Sequence, residues 1–361
     1  MDTDAIEALL QRCGEVLLPG TEQTLADLRA LKAPVVTDDS IHVPVSLPLA
    51  CQSLWPLLTA ALDEAAGEAA TISWQLSTDI PAFGVQRNLK PLPGINNLVT
   101  VASGKGGVGK STTAVNLALA LHAEGAAVGL LDADIYGPSI PRMLGLIGQS
   151  PTSEDGKTMQ PLSAFGLQVM SIGFLVDETA PMVWRGPMVT QALNQLLRQT
   201  QWQDLDYLVI DMPPGTGDIQ LTLAQTVPVA GALIVTTPQD VALADARKGL
   251  EMFKKVSVPV LGVIENMSLY VCPECGHEAS LFGQGGGDKL ADAAGVRLLG
   301  ELPLVADIAT ATDNGEPSVA KDQDSDIARR YRQIAISAGA ALAESRRDYS
   351  AAFTNIVVEE S

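Results

Sequence analysis

The stretch that most constrains this chain is Val99-Thr100-Val101-Ala102-Ser103-Gly104-Lys105-Gly106-Gly107-Val108-Gly109-Lys110-Ser111-Thr112. A β-branched apolar run enters a glycine-rich loop, and the loop opens a helical stretch from Ala114 to His122. Gly104, Gly109, Lys110 and Ser111 satisfy G-x-x-x-x-G-K-[ST], a pattern that carries meaning only between a strand and a helix. Glycines there let successive backbone N–H groups turn inward around phosphate oxygens, and the helix N-terminus adds its positive dipole end. Lys110 is placed to reach the β- and γ-phosphates of a nucleoside triphosphate, and the Ser111 hydroxyl to ligate Mg²⁺. The loop commits the chain to an α/β architecture.

The rest of the sequence supplies the sheet that such a loop needs. Ala127–Leu131 is a continuous apolar run, as expected of a buried parallel strand. It runs into Asp132-Ala133-Asp134-Ile135-Tyr136-Gly137-Pro138, so two carboxylates stand at a strand's C-terminal end, the mouth of a nucleotide crevice. Asp206–Ile210 is a second such strand ending in Asp211, a Walker B arrangement in which Asp211 holds Mg²⁺ through water. Met212-Pro213-Pro214-Gly215-Thr216-Gly217-Asp218 follows as a loop whose glycines permit backbone movement. Further apolar strands at 232–236, 260–264 and 297–302 alternate with helical stretches at 240–253, 288–294 and 327–342. That alternation predicts a P-loop NTPase domain with a mainly parallel sheet flanked by helices, over residues 96–345.

A small α+β domain is expected ahead of it, over residues 1–89. Ile6, Leu9, Leu10, Cys13, Val16 and Leu17 recur at helical spacing. Val35–Thr37 and Ile41–Val45 flank turn residues Asp38, Asp39 and Ser40 as a hairpin, and a second helix carries Cys51, Leu54, Leu58 and Leu62 on one face. Thr71–Leu76 alternates as a strand, and Pro91-Leu92-Pro93-Gly94 marks a stiff linker over 90–95. A polar tail occupies 346–361, too acidic for a membrane-targeting helix.

Charge removes several function classes. The net charge is −19 with a pI near 4.4, and residues 1–95 already hold 5 basic against 12 acidic side chains. Unaided nucleic-acid binding needs clustered Lys and Arg to neutralise phosphates, so no nucleic-acid partner is expected. The N-terminus lacks a basic-then-apolar signal, and no apolar run approaches a membrane span. Four cysteines in 361 residues form no disulfide framework and point to the reducing cytoplasm.

Val271-Cys272-Pro273-Glu274-Cys275-Gly276-His277 is the second chemical signal. Two thiolates separated by two residues can chelate one soft metal centre. A thioredoxin-like pair would start a helix in a fold of its own, and a zinc ribbon needs a second pair. Cys13 and Cys51 are assigned to apolar helix faces in the other domain. His277 as a third ligand stays open. Two ligands per chain otherwise suggest a site completed by a second chain, whose four thiolates together suit a [4Fe–4S] cluster.

Taken in order, Gly104–Thr112, Asp132–Pro141, Asp211–Asp218 and Cys272–Cys275, behind a small α+β domain, resemble the Mrp/ApbC family of iron–sulfur cluster carriers. Lys105, directly after the first glycine, resembles the extra lysine of the deviant Walker A loop shared with the MinD, ParA and nitrogenase iron-protein group. The resemblance implies that Gly104, Lys105, Gly106, Gly107, Val108, Gly109, Lys110, Ser111 and Thr112 bind ATP. It implies that Lys105 crosses a homodimer interface to the partner's nucleotide, and that Asp134 orients or deprotonates the attacking water. Asp132 supports Mg²⁺, and Asn266 reads the adenine. In such a family Cys272 and Cys275 hold a [4Fe–4S] cluster between subunits for transfer to apo iron–sulfur proteins, in concert with cluster assembly machinery. Met182–Met188 resembles a loop found in Mrp proteins. The rival reading is a MinD/ParA-like positioning ATPase in which the cysteine pair is a structural metal clip.

Overall fold

The computed structural model describes residues 3–37, 40–67, 72–86, 89–175 and 186–345. The hairpin residues Asp38 and Asp39, Thr71, the loop residues 182–185 and the tail 346–361 lie outside the described residues. Twelve strands follow in chain order: β1 (Val35–Val36), β2 (Ile41–Leu47), β3 (Ile72–Thr78), β4 (Ile95–Ala102), β5 (Val128–Asp132), β6 (Leu162–Ala164), β7 (Leu167–Ser171), β8 (Leu205–Asp211), β9 (Gly231–Thr236), β10 (Val260–Val271), β11 (Glu278–Ala279) and β12 (Leu298–Leu304). They form a three-stranded sheet β1-β2-β3 and a nine-stranded sheet ordered β11-β10-β9-β4-β8-β5-β7-β6, with β12 also paired to β10.

Every pairing from β12 through β10, β9, β4, β8 and β5 to β7 is parallel; β6 and β11 are antiparallel additions at the margins. The apolar runs read in the sequence are the middle of this sheet: β5 and β9 are buried at every position. Parallel strands covered by helices on both faces show that unbroken hydrophobicity. β4, which feeds the phosphate loop, lies between β8 and β9. The helix after the loop, Lys110–Ala123, is buried nearly all round, because the helix Asp326–Glu344 packs over it.

The N-terminal sheet is smaller and alternating. β2 reads buried–half-buried along its length, pairs antiparallel with β1 and parallel with β3, and is joined to β3 by the helix Trp55–Ala66. Cys51 departs from its expected position on that helix. A 3₁₀ turn at Gln52–Leu54 intervenes and the α-helix begins at Trp55 with Pro56 in its first turn, where a missing N–H costs nothing. Cys51 precedes both and is fully buried.

One continuous hydrophobic core joins the two sheets. Gln23 Nε2 donates to Ala340 O at 2.8 Å, and Asn97, fully buried, accepts from Phe83 N at 2.9 Å. Glu124, at the C-terminal end of the phosphate-loop helix, ties three segments together. Its carboxylate accepts from Ser53 N at 2.9 Å and from Arg332 Nε at 2.5 Å.

Candidate functional site

Adjacent strands deliver the polar cluster beneath the phosphate loop. Asp132 ends β5, Asp211 ends β8 and Ser171 ends β7; the register sets Asp132 opposite both of the others. Neighbouring strands lie about 4.8 Å apart, so the two carboxylates are close enough to interact. Both aspartates are 0% exposed. Lys110 is the first residue of the helix, and its Nζ donates to Asp211 Oδ1 at 2.5 Å and to Ser111 Oγ at 3.1 Å. The same Nζ lies 3.7 Å from Asp134 Oδ2.

The two buried carboxylates are spent differently. Asp132 accepts from Asp134 N at 3.1 Å, Ile140 N at 3.2 Å and Ser171 Oγ at 3.0 Å, so both its oxygens anchor the segment after β5. Among the described residues Asp211 Oδ2 is buried without a hydrogen-bond partner. An orphaned carboxylate oxygen beside the Ser111 hydroxyl and a buried lysine suits a hard divalent cation, which takes oxygen ligands. Asp132 fits as a support to that position. Burial pushes the Asp132 carboxyl well above the usual range, and the neighbouring Asp211 charge adds to the rise. Burial also raises Asp211, with Lys110 opposing the shift, and raises Asp134 against the same opposition.

The loop itself is built on backbone freedom. Gly107 and Gly109 have φ of +81° and +83°, a region that glycine alone enters readily. A Cβ on Gly104 would fall 2.2 Å from the backbone of Asp245, on the helix Asp240–Lys255. That helix therefore fixes the first glycine by close approach. Ser103 Oγ donates to Lys105 O at 2.9 Å, and Gly215 N donates to Ser103 O at 2.9 Å, pinning the loop after β8 to the phosphate loop. Lys105 is half-buried and forms no ion pair among the described residues. Gly106 is exposed, Val108 is buried, and Thr112 accepts from Asn116 Nδ2 through its carbonyl at 2.9 Å.

Asn266 stands inside β10, which runs seven residues beyond the expected end at Ile264. Its Nδ2 donates to Val108 O at 2.9 Å and its Oδ1 accepts from Met267 N at 3.0 Å. A Cβ on Gly109 would lie 2.1 Å from Asn266 Nδ2, so glycine and asparagine interlock. The strand then reaches the cysteine turn. Cys272 N donates to His277 O and Gly276 N to Cys272 O, each at 2.9 Å, and β11 folds back antiparallel on Tyr270 and Val271. Backbone N–H groups of Cys275 and Glu274 aimed at the Cys272 thiol hold it below its ordinary value. Cys272 is half-buried and Cys275 exposed. Among the described residues no three His, Cys, Asp or Glu side chains are grouped to hold a metal ion. Cys13 and Cys51 are buried in the core, and desolvation drives the Cys51 thiol up to about 12.

Ser171 went unread in the sequence, although it follows the apolar residues Leu167, Val169 and Met170 as Asp132 and Asp211 follow their runs. Glu265 also went unread: it is buried beside Asn266, and its Oε2 accepts from Gly287 N at the start of the helix Gly286–Ala294.

A glycine loop between a parallel strand and a buried helix, with its lysine set among strand-end aspartates, defines a P-loop NTPase of the MinD/ParA fold. The cell-division ATPase MinD of Pyrococcus furiosus shares that fold, with a TM-score of 0.52 at 22% identity over 67% of this chain and 97% of that one. Within that class the chain belongs to the ParA family described as NUBPL iron-transfer P-loop NTPases, whose pattern matches residues 94–338. It is 51% identical over 328 residues to an iron-sulfur cluster carrier protein of Escherichia coli, covering 90% of this chain and 89% of that one. It is 54% identical over 263 residues to the mouse iron-sulfur cluster transfer protein NUBPL, covering 72% and 82%. A nucleotide-binding protein of Archaeoglobus fulgidus, solved in complex with ADP, is similar at 36% identity and a TM-score of 0.57, over 64% of this chain and 90% of that one. Among the described residues no helix is long and apolar enough to cross a membrane.

Proposed function

We propose that this chain binds and hydrolyses ATP and carries a [4Fe–4S] cluster, held between two subunits, to apo iron–sulfur proteins. The observation that carries the reading is the cysteine turn: two accessible thiols on a hairpin, with no third ligand grouped near them among the described residues. A second copy supplies the two thiolates that a cubane cluster still needs. The names of the relatives support the cargo, and the phosphate loop supports the nucleotide.

In this reading Gly104–Thr112 cradle the phosphates through backbone N–H groups, and Lys110 turns its charge from Asp211 toward the β- and γ-phosphates. Ser111 and Asp211 hold Mg²⁺, with Asp132 as support. When bound, that ion neutralises charge developing on the β- and γ-phosphate oxygens. Asp134, partly buried beside Lys110, orients the attacking water and accepts its proton. Lys105, free of intrachain ion pairs among the described residues, reaches the partner's nucleotide, and Asn266 contacts the adenine with its second N–H.

The test is anaerobic reconstitution followed by iron analysis and absorbance spectroscopy. The expected content is about four irons per dimer, since a cubane has four iron corners. Cys272→Ala and Cys275→Ala should lose the cluster, and Cys13→Ala and Cys51→Ala should keep it. An apo acceptor enzyme should regain activity with the loaded wild type alone. Stoichiometric zinc with no iron–sulfur absorbance would overturn the reading and leave an ATPase with a structural clip.

A further inference from the structure

One strand touches both halves of the chemistry. β10 pairs with β9 over Val260–Glu265 and with β12 from Val263 onward, and its register with β12 shifts between Asn266 and Tyr270. At that shift Met267 takes φ of +58°, a left-handed conformation uncommon for a non-glycine residue. Its neighbour Asn266 is the residue interlocked with Gly109 and hydrogen-bonded to Val108 O.

The bend lies between two fixed points. Before it, the buried Glu265 carboxylate accepts from Gly287 N and so holds the strand to the helix Gly286–Ala294. After it, Ser268 Oγ donates to Leu302 O at 3.2 Å and holds the strand to β12. Between these anchors the chain makes its only polar side-chain link to the phosphate loop among the described contacts of β10, through Asn266. Beyond the second anchor the strand continues to Val271 and enters the turn at Cys272, four residues after Ser268, or about 13 Å at ordinary strand rise. The Oδ1 of the same asparagine accepts from Met267 N, so one side chain grips the loop carbonyl with one end and the bend with the other.

We propose that Asn266 is a positioning residue that couples the conformation of the phosphate loop to the Cys272–Cys275 turn, through the left-handed bend at Met267. The inference rests on the nucleotide and cluster reading given above. A nucleotide that draws the Val108 carbonyl into a new position moves the Asn266 amide with it. The amide shifts Met267 N, and the strand passes the shift to the turn that holds the cargo. Coupling between two binding sites is reciprocal: the factor by which nucleotide changes retention at the cysteines equals the factor by which the cargo changes nucleotide affinity.

The experiment uses the full chain, reconstituted anaerobically. The equilibrium partition of the intact cluster between the chain and a cluster-free acceptor protein is measured with and without a saturating non-hydrolysable ATP analogue, and the dissociation constant of the analogue with and without cluster. The wild type should show a coupling factor of at least about 5 in both measurements, within the usual range for linked sites. Asn266→Ala and Met267→Val, whose β-branched side chain opposes the left-handed bend, should bring both factors to within about twofold of unity, whatever they do to nucleotide affinity itself. A purely structural role would lower cluster yield or affinity and leave the ratio untouched. The proposal is overturned if both variants retain the wild-type factor, or if the wild type holds cluster and hydrolyses ATP with a factor of one. The second result leaves the carrier reading standing. A wild type with neither cluster nor hydrolysis would instead remove that reading, and this inference with it.

Discussion

Lys110→Met separates the structural and chemical duties of the loop lysine. Methionine keeps most of the length and removes the charge. In the wild type that charge lies 2.5 Å from Asp211 and 3.7 Å from Asp134, with Asp132 in register beside Asp211. Breaking a buried ion pair by deleting one partner costs about 3–5 kcal/mol, because the other charge is left without compensation. The carboxylates have one escape, which is to take a proton. Burial already holds Asp132 and Asp211 above the usual carboxylate range, and losing Lys110 removes the interaction that opposes the rise at Asp211. The sign follows from the raised values. A carboxyl with a raised folded pKa contributes stability that is full below its unfolded value near 3.9 and is lost as pH climbs through the folded one. The variant's deficit should therefore be largest near pH 8 and shrink in acid. Each such carboxyl recovers about 1.4 kcal/mol per pH unit over the interval between its unfolded and folded values. Urea unfolding of both proteins without nucleotide, at each pH, measures the difference directly. An equal deficit at both pH values, or none, would refute the electrostatic account; ATP turnover should be lost at both.

Three further outcomes are expected. Asp134→Asn should bind Mg-ATP and lose turnover, because it deletes the proton acceptor and leaves the phosphate cradle; loss of nucleotide binding in an equilibrium titration would show that Asp134 belongs to the cradle instead. Lys105→Ala should impair hydrolysis while nucleotide stays bound, and heterodimers with Lys110→Ala subunits should depart from the mean of the two homodimers; strict averaging would place Lys105 outside the partner's site. Brief alkylation of the cluster-free protein near pH 7, read by mass spectrometry, should label Cys272 ahead of Cys13 and Cys51. Its lowered pKa raises the thiolate fraction, while burial raises the other two thiols and hides them.

What the sequence disclosed and what it hid divide along a physical line. Strands such as β5, β8 and β9 are legible because their burial on both faces leaves an unbroken apolar run, and Asp132 and Asp211 stand where those runs stop. β10 is legible only to Ile264. Beyond it come Glu265, Asn266, Met267 and Ser268, which read as a loop and are strand only because β12 pairs alongside. The helix Gly186–Gln199 takes in Gly186–Met188, the end of the segment read as a loop, and its only local trace is Val189, Leu193, Leu196 and Leu197, buried at helical spacing. Partnerships across long separations leave no local trace. Ser171 finds Asp132 across 39 residues, and Arg332 finds Glu124 across 208.

The contrast between the two sites argues for how their ligands are kept. Around the phosphate loop the aspartates are fully buried and the lysine nearly so, the arrangement that strengthens charge interactions and rewards a tightly positioned phosphate. The thiols sit instead at the tip of a hairpin near the sheet margin, one half-buried and one exposed, in a turn closed by backbone hydrogen bonds. A resident metal centre is normally enclosed by its ligands and by the groups that orient them. An open pair gives up that enclosure, so in the proposed carrier reading an acceptor's thiolates would reach the cluster before these two let go. In the carrier reading proposed above, the buried charges at the ends of β5 and β8 would keep nucleotide chemistry in the interior, and the cysteine turn would keep the cargo at the surface.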